Sequence, residues 1–280
     1  MKIIHLSDTH IGRDNNKVRC DRLVDDILTL PNPKNYIAIH TGDLINEGNQ
    51  ALMSLGGDIL GRLSASGFEV LLCPGNHDCG DAKKVDPTRA KHFREYFGNY
   101  IFNGKEQKFP VVNFTDDCAF VGLDSNEAEM SWPFRLFAEG NLGDAQVERL
   151  SAVLDQEEVR RRFVVVYLHH HPFFDAYVAR PDVGDGNYIS HLVGWSTRRF
   201  RRLKDAYTLM QCIRDRADLL LFGHQHFGLD YSVESQRYGI PHAFDASSST
   251  ATQMDTDRMR YRIIDTSTGV VETRFVRFPV

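Results

Sequence analysis

Short apolar runs, each closed by a polar cluster, recur along the chain and alternate with stretches of helical periodicity. Lys2 to Leu6 read as a buried strand that stops at Asp8-Thr-His10 and Gly12. Tyr36 to His40 read as a second, stopping at Thr41-Gly-Asp43, and Phe68 to Leu72 as a third that runs into Cys73-Pro-Gly-Asn-His-Asp78. Between the first two, Leu23, Ile27, Leu28 and Leu30 recur at helical spacing within Cys20 to Leu30, which Pro31 and Pro33 close. Ala51 to Leu63 repeat the helical pattern before the third. Strands and helices in alternation, with polar residues at the carboxyl end of each strand, predict α/β architecture and ligand binding at those ends.

The same grammar continues downstream. Asp86 to Tyr100 read as helix, and Pro110 to Phe114 and Ala119 to Leu123 as strands, the second ending in Asp124-Ser125. Asn126 to Asn141 read as loop, Gly143 to Leu154 as helix, and Phe163 to Leu168 as a strand ending in His169-His-His-Pro172. Phe173 to Trp195 has few periodic apolar residues, and a connection this long in a compact domain is usually functional or disordered, so a lid or insert is expected around 173–204. Leu209 to Arg216 read as helix and Leu219 to Phe222 as a strand ending in Gly223-His-Gln-His226. Beyond Leu229 the pattern turns to β, at Tyr231 to Val233, His242 to Asp245, Arg260 to Ile264 and Val270 to Phe278. No repeat or linker divides the chain, so residues 1–280 are expected to form a single domain.

Composition adds exclusions. At 280 residues with net charge −5, the chain can bury a sizeable core and carries no broad basic surface, so no stable nucleic-acid partner is expected. The longest apolar run, Phe163 to Leu168, is far too short for a membrane span, and no leader pattern precedes the first strand, so a cytoplasmic location is expected. Five cysteines without CxxC spacing read as reduced, buried thiols.

Asp8 and His10 stand two apart at a strand end and so share one side. A hard oxygen beside a borderline nitrogen suits a divalent transition metal. The signatures Asp8-x-His10, Gly42-Asp43, Gly75-Asn-His-Asp78, His169-His-His-Pro172 and Gly223-His-x-His226 each follow a predicted strand. In this order they resemble the calcineurin-like metallophosphoesterase superfamily across nearly the whole chain.

That resemblance implies a four-layer αββα sandwich of two mixed β-sheets flanked by helices, with two divalent metals at the strand ends. It assigns Asp8, His10 and His226 to the first metal, Asn76, His170 and His224 to the second, and Asp43 to both. His170 is taken from the histidine run because the family ligand stands two residues before the proline. His169 and His171 are then expected to turn to the other side as packing or supporting groups. His77 is expected over the substrate, with Asp78 accepting from its other ring nitrogen to orient it. Two adjacent dications repel, so a shared carboxylate and a shared hydroxide are needed between them. Neutral imidazoles and the Asn76 carbonyl leave the cluster a net positive charge that suits a phosphoryl group. Mixed nitrogen and oxygen ligation admits manganese, iron, zinc or cobalt.

Departures narrow the resemblance. Leu44-Ile-Asn-Glu-Gly48 lacks the arginine of the protein serine/threonine phosphatases, and Asn46 stands where purple acid phosphatases carry a tyrosine ligand. The opening also looks like the nucleases of double-strand-break repair, but little chain remains for their DNA-capping region. The Asn-His-Asp, His-His-Pro and Gly-His-x-His motifs, with Leu123-Asp-Ser125 and a helix bearing Gln146, look closest to bacterial cyclic-nucleotide phosphodiesterases and glycerophosphodiesterases. The expected function is a binuclear phosphodiesterase that hydrolyses a small phosphoester, with a cyclic nucleotide as leading substrate, by a metal-bridging hydroxide. A phosphomonoesterase or single-strand nuclease is the alternative, and a scaffold like the related retromer subunit the non-enzymatic one. Trp132, Phe134, Phe137, Phe173, Phe174, Tyr177, His191, Trp195 and the Arg198-Arg-Phe-Arg-Arg202 run lie in the loops expected to rim the site, where aromatics and arginines suit a base above a phosphate.

Overall fold

The computed structural model describes residues 1–81, 84–106, 108–126, 139–173, 203–250 and 258–278. The predicted lid around 173–204 and the aromatic loop 126–141 fall largely outside the described residues, and with them the aromatics and arginines named above, Phe173 excepted.

Three strands of one sheet follow the opening alternation. β1 (Lys2–Leu6), β2 (Tyr36–His40) and β3 (Glu69–Leu72) pair in parallel, with α1 (Asn16–Ile27) and α2 (Gln50–Ala65) as crossovers. The small strands β4 (Gly80–Asp81) and β5 (Lys84–Val85) pair with each other. Helices α3 (Pro87–Tyr96) and α4 (Gly98–Ile101) lead to the second sheet, built on β6 (Val111–Phe114), β7 (Cys118–Gly122), β8 (Phe163–Tyr167), β9 (Leu219–Phe222) and β10 (His242–Asp245). Between them lie α5 (Asp144–Leu154), α6 (Glu157–Arg160), α7 (Ala206–Cys212) and α8 (Ser232–Gln236). The chain then returns to the first sheet as β11 (Arg258–Asp265) and β12 (Val271–Arg277), giving the orders β12-β11-β1-β2-β3 and β10-β9-β8-β7-β6. Both sheets mix parallel and antiparallel pairs.

Side-chain parity assembles the layers. Ile3, Ile37, Ile39 and Leu71 meet Phe120, Val165, Tyr167, Leu219 and Leu221 between the sheets. Their neighbours Ile4, Ala38 and Val70 turn outward against Leu23, Ile27, Leu60 and Leu63 of α1 and α2. On the far side Val121, Val164, Val166 and Leu220 pack under Leu150, Leu154 and Leu209. Strands buried on both faces read as near-continuous apolar runs, and the result is the expected αββα sandwich.

Two local expectations change. Tyr231 to Val233 are not strand: α8 begins at Ser232, with Asp230 only bridging Phe244. The Asp230 carboxylate accepts from the Ser232 N–H at 2.8 Å, a local cap that favours a helical start over extension. The helix placed at Leu209 to Arg216 runs from Ala206 to Cys212, ahead of left-handed Asp215 (φ 55°).

Candidate metal centre

The carboxyl ends of β1, β2, β3, β8 and β9 converge, and at each the chain turns sharply. Among the described residues, Asp8 (φ 51°), His10 (φ 43°), Asp43 (φ 53°), His224 (φ 73°) and His226 (φ 58°) are left-handed. Such conformations cost about 1 kcal/mol or more each and cluster where function needs them. Close backbone approach demands glycine here. A Cβ on Gly75 would stand 2.2 Å from Asp43 Oδ1, and one on Gly223 2.4 Å from Asp8 Oδ2.

Two donor clusters result. In the first, His226 Nε2 lies 3.0 Å from Asp8 Oδ1 and 3.2 Å from His10 Nε2, while His10 Nε2 lies 3.9 Å from Asp8 Oδ1. In the second, His169 Nε2 lies 3.1 Å from Asn76 Oδ1, 3.1 Å from His224 Nδ1 and 3.3 Å from Asp43 Oδ2. Asp43 Oδ2 is also 3.8 Å from His10 Nε2, so this one oxygen touches both clusters. Ligands bound at about 2.0–2.2 Å stand about 2.8–3.6 Å apart, or about 4 Å when opposite each other. The separations match. His169 Nε2 has a single hydrogen or lone pair for three polar neighbours, an arrangement one cation satisfies and one proton does not.

The histidine run brings two rings to the second cluster, since His169, His170 and His224 can each offer a ligand nitrogen within 4.8 Å of one another. His169, not His170, reaches Asp43 and Asn76, and its Nδ1 lies 2.8 Å from the Thr41 carbonyl, which fixes the ring. The strand itself explains this: Val165 and Tyr167 face between the sheets, and His169 keeps their parity. His170 stands beside the second cluster, its ring 4.5 Å from that of His224 and its Nδ1 2.7 Å from Ser125 Oγ. His171 faces the outer layer among Phe173, Phe222 and Tyr231.

Asp78 is also placed differently. Its carboxylate accepts from the Gly75 N–H (2.9 Å) and the Ile45 N–H (3.0 Å), and the His77 ring instead meets the Asn46 carbonyl through Nδ1 at 2.9 Å. Adjacent side chains diverge, so Asp78 braces the two loops rather than the ring. His77 is half-buried with its ring 4.6 Å from that of His10, and its N–H donates to Asp43 Oδ1 at 2.9 Å.

Electrostatics follow from burial. Burial raises the Asp8 carboxyl, but His226 and His169 together hold Asp8 at about 2; Asp43 is likewise held low against burial by His169 and His77. Burial alone would lower His169, yet Asp43 pushes it up to about 9, and His226 is raised against burial by Asp8. His10 is lowered to about 3 by burial, and His224 is lowered by burial and then by His170. Asp78 is pushed up to about 7 by burial and by Asp43.

A supporting layer lies behind these side chains, and of it only Asp124 and Gln146 stand in motifs visible in the sequence. His5 Nε2 meets Thr41 Oγ1 (3.0 Å), His40 Nε2 meets Thr9 Oγ1 (3.1 Å), and Asn16 donates to the carbonyls of Thr9 and His10. Gln146 bonds both backbone groups of Asp124, whose carboxylate pairs with Arg94.

A profile of the calcineurin-like phosphoesterase family matches residues 1–228, and the chain belongs to that family. It is therefore a metallophosphoesterase, a phosphoester hydrolase whose His and Asp clusters can hold metal. A dimetal phosphatase from Danio rerio shares the fold at TM-score 0.62 and 14% identity, covering 100% of this chain and 99% of that one. A purple acid phosphatase from yellow lupin (Lupinus luteus) seeds does so at TM-score 0.52 and 11% identity, over 99% of this chain and 53% of that one. No curated protein matches the chain. At these identities the likenesses bear on the fold alone.

Proposed function

We propose that the chain is a binuclear metal-dependent phosphodiesterase acting on a small phosphoester, with a 3′,5′-cyclic nucleotide as the leading candidate substrate. The observation that carries the binuclear reading is Asp43 Oδ2, shared by the two donor clusters. Asp8, His10 and His226 would hold one cation, Asn76, His169 and His224 the other, and Asp43 both. His170, beside the second cluster, is a flanking group in this reading. Two dications so held, manganese, iron, zinc or cobalt by their ligand set, supply Lewis-acid polarisation of phosphoryl oxygens and a water of lowered pKa.

His77 is the proton donor to the leaving oxygen. Its Nδ1 is engaged by the Asn46 carbonyl, which leaves Nε2 as the nitrogen that passes the proton. Asp78 holds the Gly75 and Ile45 amides, and through them Asn76, His77 and Asn46, in place. The diester preference rests on the motifs shared with cyclic-nucleotide phosphodiesterases and glycerophosphodiesterases. Among the described residues no helix is long and apolar enough to cross a membrane, and the five cysteines are free and buried, which supports a cytoplasmic placement.

The test is turnover of manganese-loaded protein on bis-p-nitrophenyl phosphate beside p-nitrophenyl phosphate, with Asp43→Asn as control. Diester cleavage that Asp43→Asn abolishes is expected. Cleavage of the monoester alone overturns the diester reading.

A further inference from the structure

The segment from Asp245 to Thr250 lies beyond the residues the family profile matches and contains no proposed ligand, yet it ties the two ends of the first donor cluster together. Ser248 Oγ donates to the Asp8 carbonyl (2.7 Å), and Thr250 Oγ1 to the Thr9 carbonyl (2.9 Å). Ser249 exchanges bonds with Ser7, its N–H to the Ser7 carbonyl (2.9 Å) and its Oγ from the Ser7 N–H (3.1 Å). On the other side Ser247 Oγ donates to the His226 carbonyl (3.0 Å), and Asp245 accepts from the Phe227 N–H (3.1 Å) and the Ser247 N–H (2.8 Å). Arg260 and Arg262, from β11, hold the Phe227 and Gly228 carbonyls. All six residues from Asp245 to Thr250 are buried.

These contacts answer a need created by the backbone. Asp8, His10 and His226 are left-handed, so the flanking carbonyls leave the sheet ladder and require other donors in a dry interior. Hydroxyls on one continuous strap meet them from both ligand loops. The second cluster has its main supports elsewhere, His169 on the Thr41 carbonyl and the Asn76 loop on Asp78, and it meets the strap only at one remove, where the His224 N–H donates to Asp8 Oδ2 (2.9 Å).

We infer that Asp245 to Thr250 form a positioning strap that sets the affinity of the cation held by Asp8, His10 and His226 far more than that of the second cation. This rests on the binuclear reading above. The strap's residues touch no reacting atom; they act through the backbone of Asp8 and His226. Loss of an outer-sphere support of this kind weakens metal binding by about 10- to 100-fold.

The experiment titrates chelator-treated protein with Mn²⁺ by calorimetry and records the thermal midpoint of each metal-free variant. Ser248→Ala is the primary variant, and the near-isosteric Thr250→Val is the second if Ser248→Ala does not fold. Ser235→Ala is the control for an equally buried serine, since its Oγ donates to the Ile240 carbonyl (2.8 Å) in the outer layer. The expected result is one Mn²⁺ weakened about 10- to 100-fold and the other weakened far less, while Ser235→Ala lowers the midpoint with both affinities intact. Unchanged affinities in both strap variants, or an equal fall at both sites, overturn the inference alone. Wild-type protein that binds no Mn²⁺ overturns the binuclear reading and the inference with it.

Discussion

Replacing Asp78 by asparagine separates two roles a carboxylate beside His77 could play. The side chain is fully buried and accepts from Gly75 N–H and Ile45 N–H. Asparagine retains one acceptor and leaves one buried amide unpaired, at about 1–3 kcal/mol. Against that stands the cost of ionising Asp78 inside the fold, where burial and Asp43 push it up to about 7 from 3.8. A carboxyl raised in the folded state binds more protons there than in the unfolded chain, so its contribution is full below the unfolded value and is lost as pH rises through about 7. Between pH 5.5 and 8.5 the wild type loses about 2 kcal/mol relative to Asp78→Asn, at about 1.36 kcal/mol per pH unit over the stretch below 7. In a chain of this size that is about 4–8 °C of relative thermal midpoint. Circular-dichroism melts of both metal-free proteins at the two pH values measure it. Parallel pH dependences would refute the buried brace beside Asp43. Unchanged melts with a shifted pH–rate profile would restore the polarising role for Asp78.

Cation uptake is coupled to protons with a definite sign. His169, pushed up to about 9 by Asp43, carries a proton at neutral pH that a cation must displace, and His226 is raised in the same direction by Asp8, whereas His10 and His224 are lowered and already neutral. Calorimetry in buffers of different ionisation enthalpy should therefore show proton release at pH 7 that fades as pH passes about 9; no proton exchange at pH 7 contradicts it. His169→Ala is expected to lose the second ion and nearly all turnover, and His170→Ala to keep both ions. Metal analysis of the two purified variants reads the difference, and the reverse result restores His170 as ligand.

Much of this architecture is legible in the chain because its strands are buried on both faces and punctuated by polar ends. Tyr36–His40 and Leu219–Phe222 coincide with their apolar runs. Where legibility failed, the competing signal was local. Tyr231-Ser-Val233 alternates like a strand, but the capping carboxylate of Asp230 starts a helix at Ser232. Spacing from Pro172 points to His170, whereas the period-two register from Val165 through Tyr167 points to His169. Asp78 could not reach the ring beside it because adjacent side chains diverge. The strap from Asp245 to Thr250 looks in sequence like a polar turn, and its meaning depends on two ligand loops more than two hundred residues and about twenty residues upstream.

The most direct test of the shared centre is electron paramagnetic resonance of Mn²⁺-loaded wild type and Asp43→Asn, with metal content measured on the same samples. Two ions per wild-type chain with an exchange-coupled spectrum, and loss of that coupling in Asp43→Asn, are the predicted result. A single ion per chain, or two ions without coupling in the wild type, would contradict a centre bridged by Asp43.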